Sequence, residues 1–244
     1  MSNKKRADEL LFEKGLVESR SRAKTLIMMG KVYCDGKKVE KAGDLISTEQ
    51  TFEIMEDLPY VSRGGIKLEA ALKTFTINLK DKVCLDIGAS TGGFTDCMLK
   101  AGAKKVYAVD VGYGVLDDRL RRDERVVNIE RTNFRYIERS KIPEEVDFIS
   151  IDVSFISLEL IIPKALEFLK TGGEIVALIK PQFELSRKEV GKGGIVRDDD
   201  LRNKAVEKIN DFLLEKGVEV IGIIPSPILG QKGNKEFLIY AKSK

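Results

Sequence analysis

The sequence contains no histidine and no tryptophan, and only three of its 244 residues are cysteine. The absence of histidine excludes the commonest general base, and the absence of a CxxC pair makes a metal site unexpected as well. Cys34, Cys84 and Cys97 are not spaced as disulfide partners. No apolar run reaches the roughly 18 residues that cross a bilayer, and the first residues lack the apolar core of a signal peptide. We therefore expect a cytoplasmic protein with no metal and no membrane partner.

Opposite charges nearly balance over the chain, because 42 Lys and Arg accompany 39 Asp and Glu, for a net charge of +3. A surface for nucleic acid must therefore come from local clustering of basic residues. Such a cluster occurs in residues 14–41, where eight Lys or Arg accompany three acids. Arg20, Lys24 and Lys31 are the candidates for contact with a phosphate backbone. A solvated charged face is the alternative interpretation.

Residues 83–112, VCLDIGASTGGFTDCMLKAGAKKVYAVDVG, combine two apolar runs with a glycine-rich turn. Val83–Ile87 and Lys105–Val109 have the length of buried parallel strands, and a helix is expected between them over residues 94–101. The glycines of the turn come at the start of that helix, where backbone amides converge and a ligand can approach closely. Asp110 ends the second strand, where a carboxylate can bind two ribose hydroxyls.

The spacing of this loop favours S-adenosylmethionine as the cofactor. A dinucleotide fingerprint needs GxGxxG, whereas here Asp86 precedes Gly88 by two residues and the next glycines are Gly92 and Gly93. The loop has no basic residue for a phosphate, which suits a ligand with a zwitterionic end. An ordinary turn between strand and helix is the alternative interpretation. A nicotinamide-dependent dehydrogenase would share the sheet but not this loop.

The rest of the chain alternates apolar runs with helical segments. Further strands are expected over residues 126–129, 148–151, 174–179, 218–224 and 237–241, and the clearest helices over 158–169 and 201–215. This alternation predicts an α/β, Rossmann-like fold with a mostly parallel sheet that helices cover on both faces. The segment PSPILGQKGNK between the last two strands is too short for a helical crossover, so the last strand is expected to be antiparallel.

This topology brings four polar residues to the carboxyl edge of the sheet. Asp152 and Lys180 follow parallel strands, and Glu236 precedes the antiparallel one. Lys67 begins a helix, expected over residues 67–75, that leads to the first strand. One acceptor that such a group could serve is a ribose hydroxyl. This hydroxyl is a poor nucleophile, so its methylation needs a base that is neutral and within hydrogen-bond reach. Lys180 is the candidate base, Lys67 would supply positive charge, and the two carboxylates would orient the lysines. Two structural salt bridges are the alternative interpretation.

Residues 5–57 strongly resemble the S-four-type RNA-binding domain, which occurs in a small-subunit ribosomal protein and in pseudouridine synthases. The matching positions are Arg6, Asp8, Leu11, Gly15, Ser19, Arg20, Ala23, Ile27, Gly30, Val32, Gly36 and Gly43. The resemblance implies structured RNA as the partner, bound through its shape and phosphates. We therefore predict an RNA-binding domain over residues 1–57. Arg6 joins Arg20, Lys24 and Lys31 as a predicted RNA contact of this domain. A short hinge over 58–65 follows, in which Arg63 also contacts RNA, and the larger domain covers 66–244.

Motifs along the whole chain resemble the TlyA family of ribosomal RNA methyltransferases, whose catalytic half is similar to the FtsJ-type ribose 2′-O-methyltransferases. They are SRGGIKL, LDIGASTGGFTDCMLKAGA, AVDVGYG, RTNFR, IDVSFIS, LIKPQFE, GKGGIVRD and GNKEFLIY. The resemblance implies that the catalytic quartet is Lys67, Asp152, Lys180 and Glu236. It implies cofactor contacts at Gly88, Ala89, Ser90, Thr91, Gly92, Gly93, Asp110 and Asn133. Asp86 completes the predicted cofactor site.

The same resemblance implies methylation of a cytidine ribose in ribosomal RNA, near the interface between the subunits. In length the chain is similar to the shorter members, which implies 23S rRNA as substrate and leaves 16S rRNA open. Three alternatives stay open: a base-directed methyltransferase, a non-catalytic RNA-binding factor of ribosome assembly, and the haemolysin activity for which relatives are named. The polar segment 181–200 is predicted to be a loop that closes over RNA.

Overall fold

The chain forms two compact units, and the computed structural model describes residues 4–28, 30–54, 59–191 and 193–244. The first unit contains the described residues up to 54 together with Leu229–Asn234. The second contains Pro59–Ile228 and Lys235–Lys244. Each unit has its own hydrophobic core, which is the usual mark of an independently packed domain.

Two helices and two small antiparallel sheets form the first unit. In chain order its elements are β1 (Lys4–Arg6), α1 (Ala7–Glu13), α2 (Arg20–Met28), β2 (Val32–Cys34), β3 (Lys37–Lys38), β4 (Leu45–Ser47) and β5 (Phe52–Ile54). Strand β1 pairs with β4, and β2 lies between β3 and β5. Asp35 and Gly36 have φ angles of 45° and 75°, as a type I′ turn requires. These two residues form the turn of a hairpin between β2 and β3, as the sequence pair Asp-Gly predicts. The serine at 19 and the glycine at 30 predict a helix over residues 20–29, and Met29 lies outside the described residues.

A seven-stranded sheet with helices on both faces forms the second unit. Its elements are α3 (Gly64–Thr74), β6 (Val83–Ile87), α4 (Gly93–Lys100), β7 (Lys105–Val109), α5 (Asp118–Arg121), β8 (Val126–Ile129), β9 (Val146–Ile151), α6 (Ile162–Leu166), β10 (Leu169–Ile179), α7 (Pro181–Glu184), α8 (Asp199–Glu215), β11 (Glu219–Pro225) and β12 (Phe237–Lys242). The strand order is β11-β12-β10-β9-β6-β7-β8. Strand β12 runs antiparallel to both neighbours, and the pairings from β10 to β8 are parallel. The predicted fold class is confirmed.

Two cores lie on the two faces of this sheet, because successive side chains of a strand point in opposite directions. In the central strand β6, Leu85 belongs to one core and Cys84 to the other. Ile209 of α8 packs in the core of Leu85, and Met98 of α4 packs in the core of Cys84. Burial on both faces explains why β6 is an uninterrupted apolar run except for Asp86.

Several predicted elements differ from the structure. The helix expected over 158–169 is wrong: Leu158–Leu160 form a separate 3₁₀ turn, α6 is short, and Leu169 already begins β10. Proline near the start of α6 suits the first turn of a helix but not its interior. Helix α3 begins at Gly64, three residues earlier than expected. The segment 181–200 is not one loop, since it begins with α7 and ends in the first turn of α8.

Within the described residues, no helix combines the length and apolar character needed to span a bilayer.

Candidate active site

The glycine-rich turn lies directly against the end of strand β9. Gly88 has a φ of 85°, and a Cβ at this position would lie 3.0 Å from the carbonyl carbon of Asp152 and closer still to its oxygen. The amide of Asp152 donates to the carbonyl of Ile87 at 2.9 Å. Glycine is therefore required at position 88, because the φ is positive and because the backbone of Asp152 leaves no room for a side chain.

Gly93, a predicted cofactor contact, also packs closely against the start of α3. A Cβ here would lie 2.8 Å from the backbone nitrogen of Gly65 and nearer still to the hydroxyl of Ser62. The small residue thus lets the start of α4 approach the start of α3, the helix that carries Lys67. In addition, the amide of Val61 donates to Asp96 of α4 at 2.8 Å. The segment predicted to be a hinge thus contacts α4 from Val61 onwards.

Asp86 lies inside the protein rather than at the surface of the loop. Its carboxylate is fully buried, and it accepts hydrogen bonds from the hydroxyls of Thr95 at 2.6 Å and Ser150 at 3.0 Å. Burial raises the pKa of Asp86 to about 7, although these two hydroxyl groups act in the opposite direction. Both oxygens are bonded to internal partners, and a cofactor contact of Asp86 stays a prediction. It connects β6, α4 and β9 behind the loop.

Asp110 closes the other side of the loop at the end of β7. One carboxylate oxygen accepts the amide of Ser90 at 2.8 Å, and the other accepts the amide of Gly112 at 2.7 Å. The carboxylate is only partly buried, and each oxygen has a second lone pair for a ribose hydroxyl. The carbonyl of Asp110 accepts the amide of Thr132, which brings the exposed Asn133 beside it.

The remaining loop residues lie between these two aspartates. Ala89 and Gly92 are buried, whereas Ser90 and Thr91 are exposed at the start of α4. The amides of Gly88 and Ala89 both donate to the carbonyl of Val109. These amides therefore fix the loop to β7, which the sequence pattern did not reveal.

The four residues of the predicted quartet form two ion pairs at the carboxyl edge of the sheet. Lys67 Nζ donates to Glu236 Oε2 at 2.6 Å, and Lys180 Nζ lies 2.6 Å from Asp152 Oδ1. Both lysine side chains are only 10% exposed. Asp152 follows β9 and Lys180 follows its parallel neighbour β10, while Glu236 precedes β12, whose Phe237 pairs with the residue before Lys180. The structure brings all four together beside Gly88.

Positive charge controls the protonation of Asp152. Its burial alone would raise the pKa, but the nearby charges of Lys180 and Lys67 outweigh burial and hold the pKa below its usual value. Asp152 is therefore an anion at neutral pH. Because Lys67 contributes to this shift, the two ion pairs act electrostatically as one group of four charges.

Sequence reasoning missed two residues next to this group. The hydroxyl of Ser154 accepts a hydrogen bond from Lys180 Nζ at 3.0 Å. Phe155 is 86% exposed and has a φ of 64°, which is unusual for a bulky side chain and costs backbone strain. Its ring lies 5.0 Å from the ring of Phe183. The motif IDVSF contains both residues, but the sequence gives no sign that the phenylalanine has a positive φ.

The predicted RNA contacts of the first unit include two arginines that share a buried carboxylate. Asp8 is fully buried, and its two oxygens pair with Arg6 at 2.9 Å and with Arg20 at 3.0 Å. Burial would raise the pKa of Asp8, but the two arginines outweigh it and lower the pKa. Both guanidinium groups are fixed in place and remain 44% exposed. Lys24 is exposed and Lys31 is half-buried.

Arg63, the predicted RNA contact outside the first unit, lies immediately before α3 and is half-buried. Among the described residues, no group of three or more Asp, Glu or Cys side chains could hold a metal ion.

The sheet order and the glycine loop define the fold of the S-adenosylmethionine-dependent methyltransferases. The N-methyltransferase NodS of Bradyrhizobium japonicum, solved with S-adenosyl-L-homocysteine, has this fold; it is 16% identical, covers 78% of this chain and 90% of its own, and has a TM-score of 0.52. The FtsJ-like methyltransferase family matches residues 60–243, and the S4 domain matches residues 5–51.

Several relatives are similar over nearly the whole chain. YqxC of Bacillus subtilis, provisionally named an rRNA methyltransferase, is 48% identical over 98% of this chain and 86% of its own. The 16S/23S rRNA (cytidine-2′-O)-methyltransferase TlyA of Mycobacterium tuberculosis is 40% identical over 100% of this chain and 92% of its own. The 23S rRNA (cytidine-2′-O)-methyltransferase TlyA of Campylobacter jejuni is 32% identical over 95% of this chain and 97% of its own.

A solved structure of a Streptococcus thermophilus protein, described provisionally as a hemolysin, is 45% identical, covers 100% of this chain and 90% of its own, and has a TM-score of 0.79. The chain belongs to the TlyA family, whose larger domain is an FtsJ-like methyltransferase. The family resemblance of the sequence is thereby confirmed.

Proposed function

We propose that this protein transfers a methyl group from S-adenosylmethionine to the 2′-hydroxyl of a cytidine ribose in ribosomal RNA. The observation that carries the proposal is the pair of buried ion pairs, Lys67–Glu236 and Lys180–Asp152, next to the glycine turn at Gly88. The names of the M. tuberculosis and C. jejuni relatives agree with this reaction. Since ribosomal RNA is the substrate, the cytoplasm is the expected location.

The residues around the loop fit S-adenosylmethionine. We assign the ribose hydroxyls to Asp110, the adenine to the neighbourhood of Asn133, and the amino-acid end to the loop from Gly88 to Gly92. The support is the partly exposed carboxylate of Asp110, whose oxygens each retain one lone pair, and the absence of a basic side chain for phosphate in the loop. When bound, the cofactor supplies an electrophilic methyl group on sulfur.

Lys180 is the proposed proton acceptor for the ribose hydroxyl. In its neutral form, Nζ would take the proton that the ribose hydroxyl loses as its oxygen gains the methyl group, and the electron pair of the methyl–sulfur bond would stay with the sulfur. Asp152 and Ser154 orient the amine from two directions, at 2.6 Å and 3.0 Å. Lys67, fixed by Glu236, supplies positive charge beside the reacting oxygen. Much of the rate enhancement would come from in-line placement of hydroxyl and methyl group.

RNA is the expected substrate on two grounds. Arg6, Arg20, Lys24 and Lys31 of the S4-like unit, together with Arg63, would bind phosphates and so orient structured RNA without reading its sequence. Phe155 offers an exposed, strained aromatic face three residues after Asp152. A base turned out of its stack could lie on this ring, as aromatic platforms commonly allow.

The test is a transfer assay with labelled S-adenosylmethionine and four acceptors, which are the two ribosomal subunits and their two free RNAs. The acceptors must come from cells that lack this enzyme, so that the target is unmodified. We expect label in 23S rRNA, and parallel reactions show whether 16S rRNA also accepts it. No label in any acceptor, with RNA binding intact, would refute the proposed activity and favour a non-catalytic assembly factor.

A further inference from the structure

Glu184 is a buried carboxylate that the proposed chemistry does not use. It ends α7, four residues after Lys180, and its side chain is 1% exposed. One oxygen accepts the backbone amide of Leu158 at 2.9 Å, and the other accepts the hydroxyl of Ser157 at 2.5 Å. Lys208 of α8 lies 3.5 Å from the carboxylate and donates to the carbonyl of Glu184 at 3.1 Å.

The two segments that Glu184 connects are the ones that carry the candidate site. Residues 152–158 follow β9 and include Asp152 and Phe155, whereas residues 180–184 follow β10 and include Lys180 and Phe183. Two sets of contacts already join them near the sheet, those of Lys180 with Asp152 and Ser154, and the ring contact between the phenylalanines. Glu184 adds a third connection at the far end of both segments.

This third connection matters because of the backbone between Asp152 and Leu158. Phe155 has a left-handed φ, which persists only where the surroundings fix the chain on both sides. The ion pair of Asp152 fixes the chain before Phe155. The bonds from Ser157 and Leu158 to Glu184 fix it afterwards.

A buried carboxylate is a costly way to join two segments unless its bonds serve a specific geometry. Burial raises the pKa of Glu184, against the effect of its hydrogen bonds from Ser157 and Leu158 and of the charge on Lys208. An apolar side chain of similar size would avoid this cost, but it would leave the amide of Leu158 without an acceptor.

We propose that Glu184 is a positioning residue, which fixes Asp152 and Phe155 relative to Lys180 by holding residues 157–158 against α7. The inference rests on the proposed function, because it concerns the same reaction. A loss of Glu184 therefore misplaces the groups around the ribose without removing any of them. A misplacement of about 1 Å lowers a rate on the order of 10²-fold.

The experiment compares Glu184→Ala and Glu184→Gln with Glu174→Ala. Glu174 is a matched control, since it is another buried carboxylate, bonded to Lys82 and Tyr240 at the opposite edge of the sheet. The kcat and the KM for the RNA and for S-adenosylmethionine are measured well below the lowest Tm of the set. We expect kcat of Glu184→Ala to fall on the order of 10²-fold with both KM values within about twofold.

The conservative variant separates positioning from folding. In Glu184→Gln the amide oxygen still accepts from Leu158, so kcat should stay within about tenfold of the native value. Glu174→Ala should lower the Tm and leave kcat unchanged. The proposal is overturned if Glu184→Ala keeps its kcat, or if Glu174→Ala loses as much at the same temperature.

A second measurement does not depend on activity. Nuclear Overhauser contacts between the rings of Phe155 and Phe183 should be present in the native protein and in Glu174→Ala, and absent in Glu184→Ala. If the native protein transfers no methyl group, the proposed function fails, and ring contacts that persist in Glu184→Ala would overturn the positioning role separately. Lost ring contacts with an unchanged kcat would also overturn it.

Discussion

Lysine–carboxylate pairs lie at both edges of the seven-stranded sheet, in different surroundings. At the amino edge, Lys170 pairs with Asp147 and Lys105 with Glu144, and these lysine side chains are 45% and 38% exposed. Each carboxylate also accepts a neutral donor, the amide of Val83 for Asp147 and the hydroxyl of Tyr107 for Glu144. At the carboxyl edge the lysines are nearly buried, and Asp152, the partner of Lys180, lies against Gly88 of the glycine turn.

The same side chains therefore serve two purposes in one sheet. Pairs with a solvated lysine and a carboxylate bonded on several sides hold strand ends together and contribute little more than about 1 kcal/mol each. Pairs with a nearly buried lysine are costly to assemble, and their retention beside a cofactor loop points to chemistry. Charge pairs alone do not identify the site; burial and position at the sheet edge do.

Removing a lysine from each edge should give the largest difference. Lys180→Ala should lower methyl transfer on the order of 10³-fold, because it removes the proposed proton acceptor. Lys170→Ala is the matched change at the other edge and should leave kcat unchanged. Single-turnover rates with saturating RNA check both. A Lys180→Ala protein that is folded, binds RNA and keeps its rate would remove Lys180 from the mechanism.

The second-largest difference should be in the unfolding free energy that a substitution at each edge costs. Lys67→Ala leaves the nearly buried carboxylate of Glu236 without its partner, which should cost about 3–5 kcal/mol of unfolding free energy. Lys105→Ala, whose partner is exposed, should cost about 1 kcal/mol or less. Urea denaturation measures both. The double variant Lys67→Met with Glu236→Gln should recover stability but not activity; recovery of both would make this pair purely structural.

Glycine substitutions at the two edges should differ less, in their effect on the affinity for S-adenosylmethionine. Gly88→Ala meets a left-handed φ and the carbonyl of Asp152, so affinity for S-adenosylmethionine should fall about 10-fold to 100-fold. Gly172, near the amino edge, also has a positive φ, but no atom lies within 4 Å of the place that a Cβ would occupy. Gly172→Ala should cost roughly 1 kcal/mol of stability and leave affinity intact. Isothermal titration calorimetry gives the affinities, and equal losses in the two variants would contradict this interpretation of Gly88.

A further expected effect is a slope in the pH dependence of stability. Asp86 has a pKa near 3.8 when unfolded and about 7 when folded, because it is buried. Its contribution to stability is therefore complete below about pH 4 and is lost as the pH rises to about 7, by up to about 1.4 kcal/mol per pH unit. Asp86→Asn should remove this slope between pH 5 and 7.

Asp147→Asn is the control for that slope. Burial would raise the pKa of Asp147, but its bonds from Lys170 and the Val83 amide outweigh burial and lower it. Its stabilising contribution is thus present above about pH 4 and lost only in more acidic solution. The substitution should shift stability evenly between pH 5 and 7. An unchanged slope in Asp86→Asn would show that Asp86 is ionised in the folded protein.

The sequence permits prediction of whatever depends on local pattern and on strand direction. The strands β6 and β7 were predicted at their observed bounds, and the convergence of the quartet follows from which edge each strand ends at. The pattern does not say which carboxylate each lysine contacts, since pairing depends on rotamers and register. It also does not reveal that Gly93, a predicted cofactor contact, packs against Gly65.

Long-range packing limits prediction elsewhere. The apolar run after Leu158 has helical periodicity, but the chain forms a 3₁₀ turn over Leu158–Leu160, where Ser157 and Leu158 also bind Glu184. Phe155 was overlooked because its left-handed backbone conformation has no local signal in the sequence. The residues that sequence reasoning missed thus cluster on the segment after β9, where tertiary hydrogen bonds outweigh local preference.

The most direct test of the central claim is the position of the transferred methyl group. Ribosomal RNA labelled by the protein is cleaved by alkali and separately digested to nucleosides for mass spectrometry. Methylation of a ribose 2′-hydroxyl blocks alkaline cleavage at its own phosphodiester, so we predict one resistant bond and label in 2′-O-methylcytidine. Label on a base, with every bond cleaved by alkali, would contradict the assignment of the buried lysine pairs to ribose methylation.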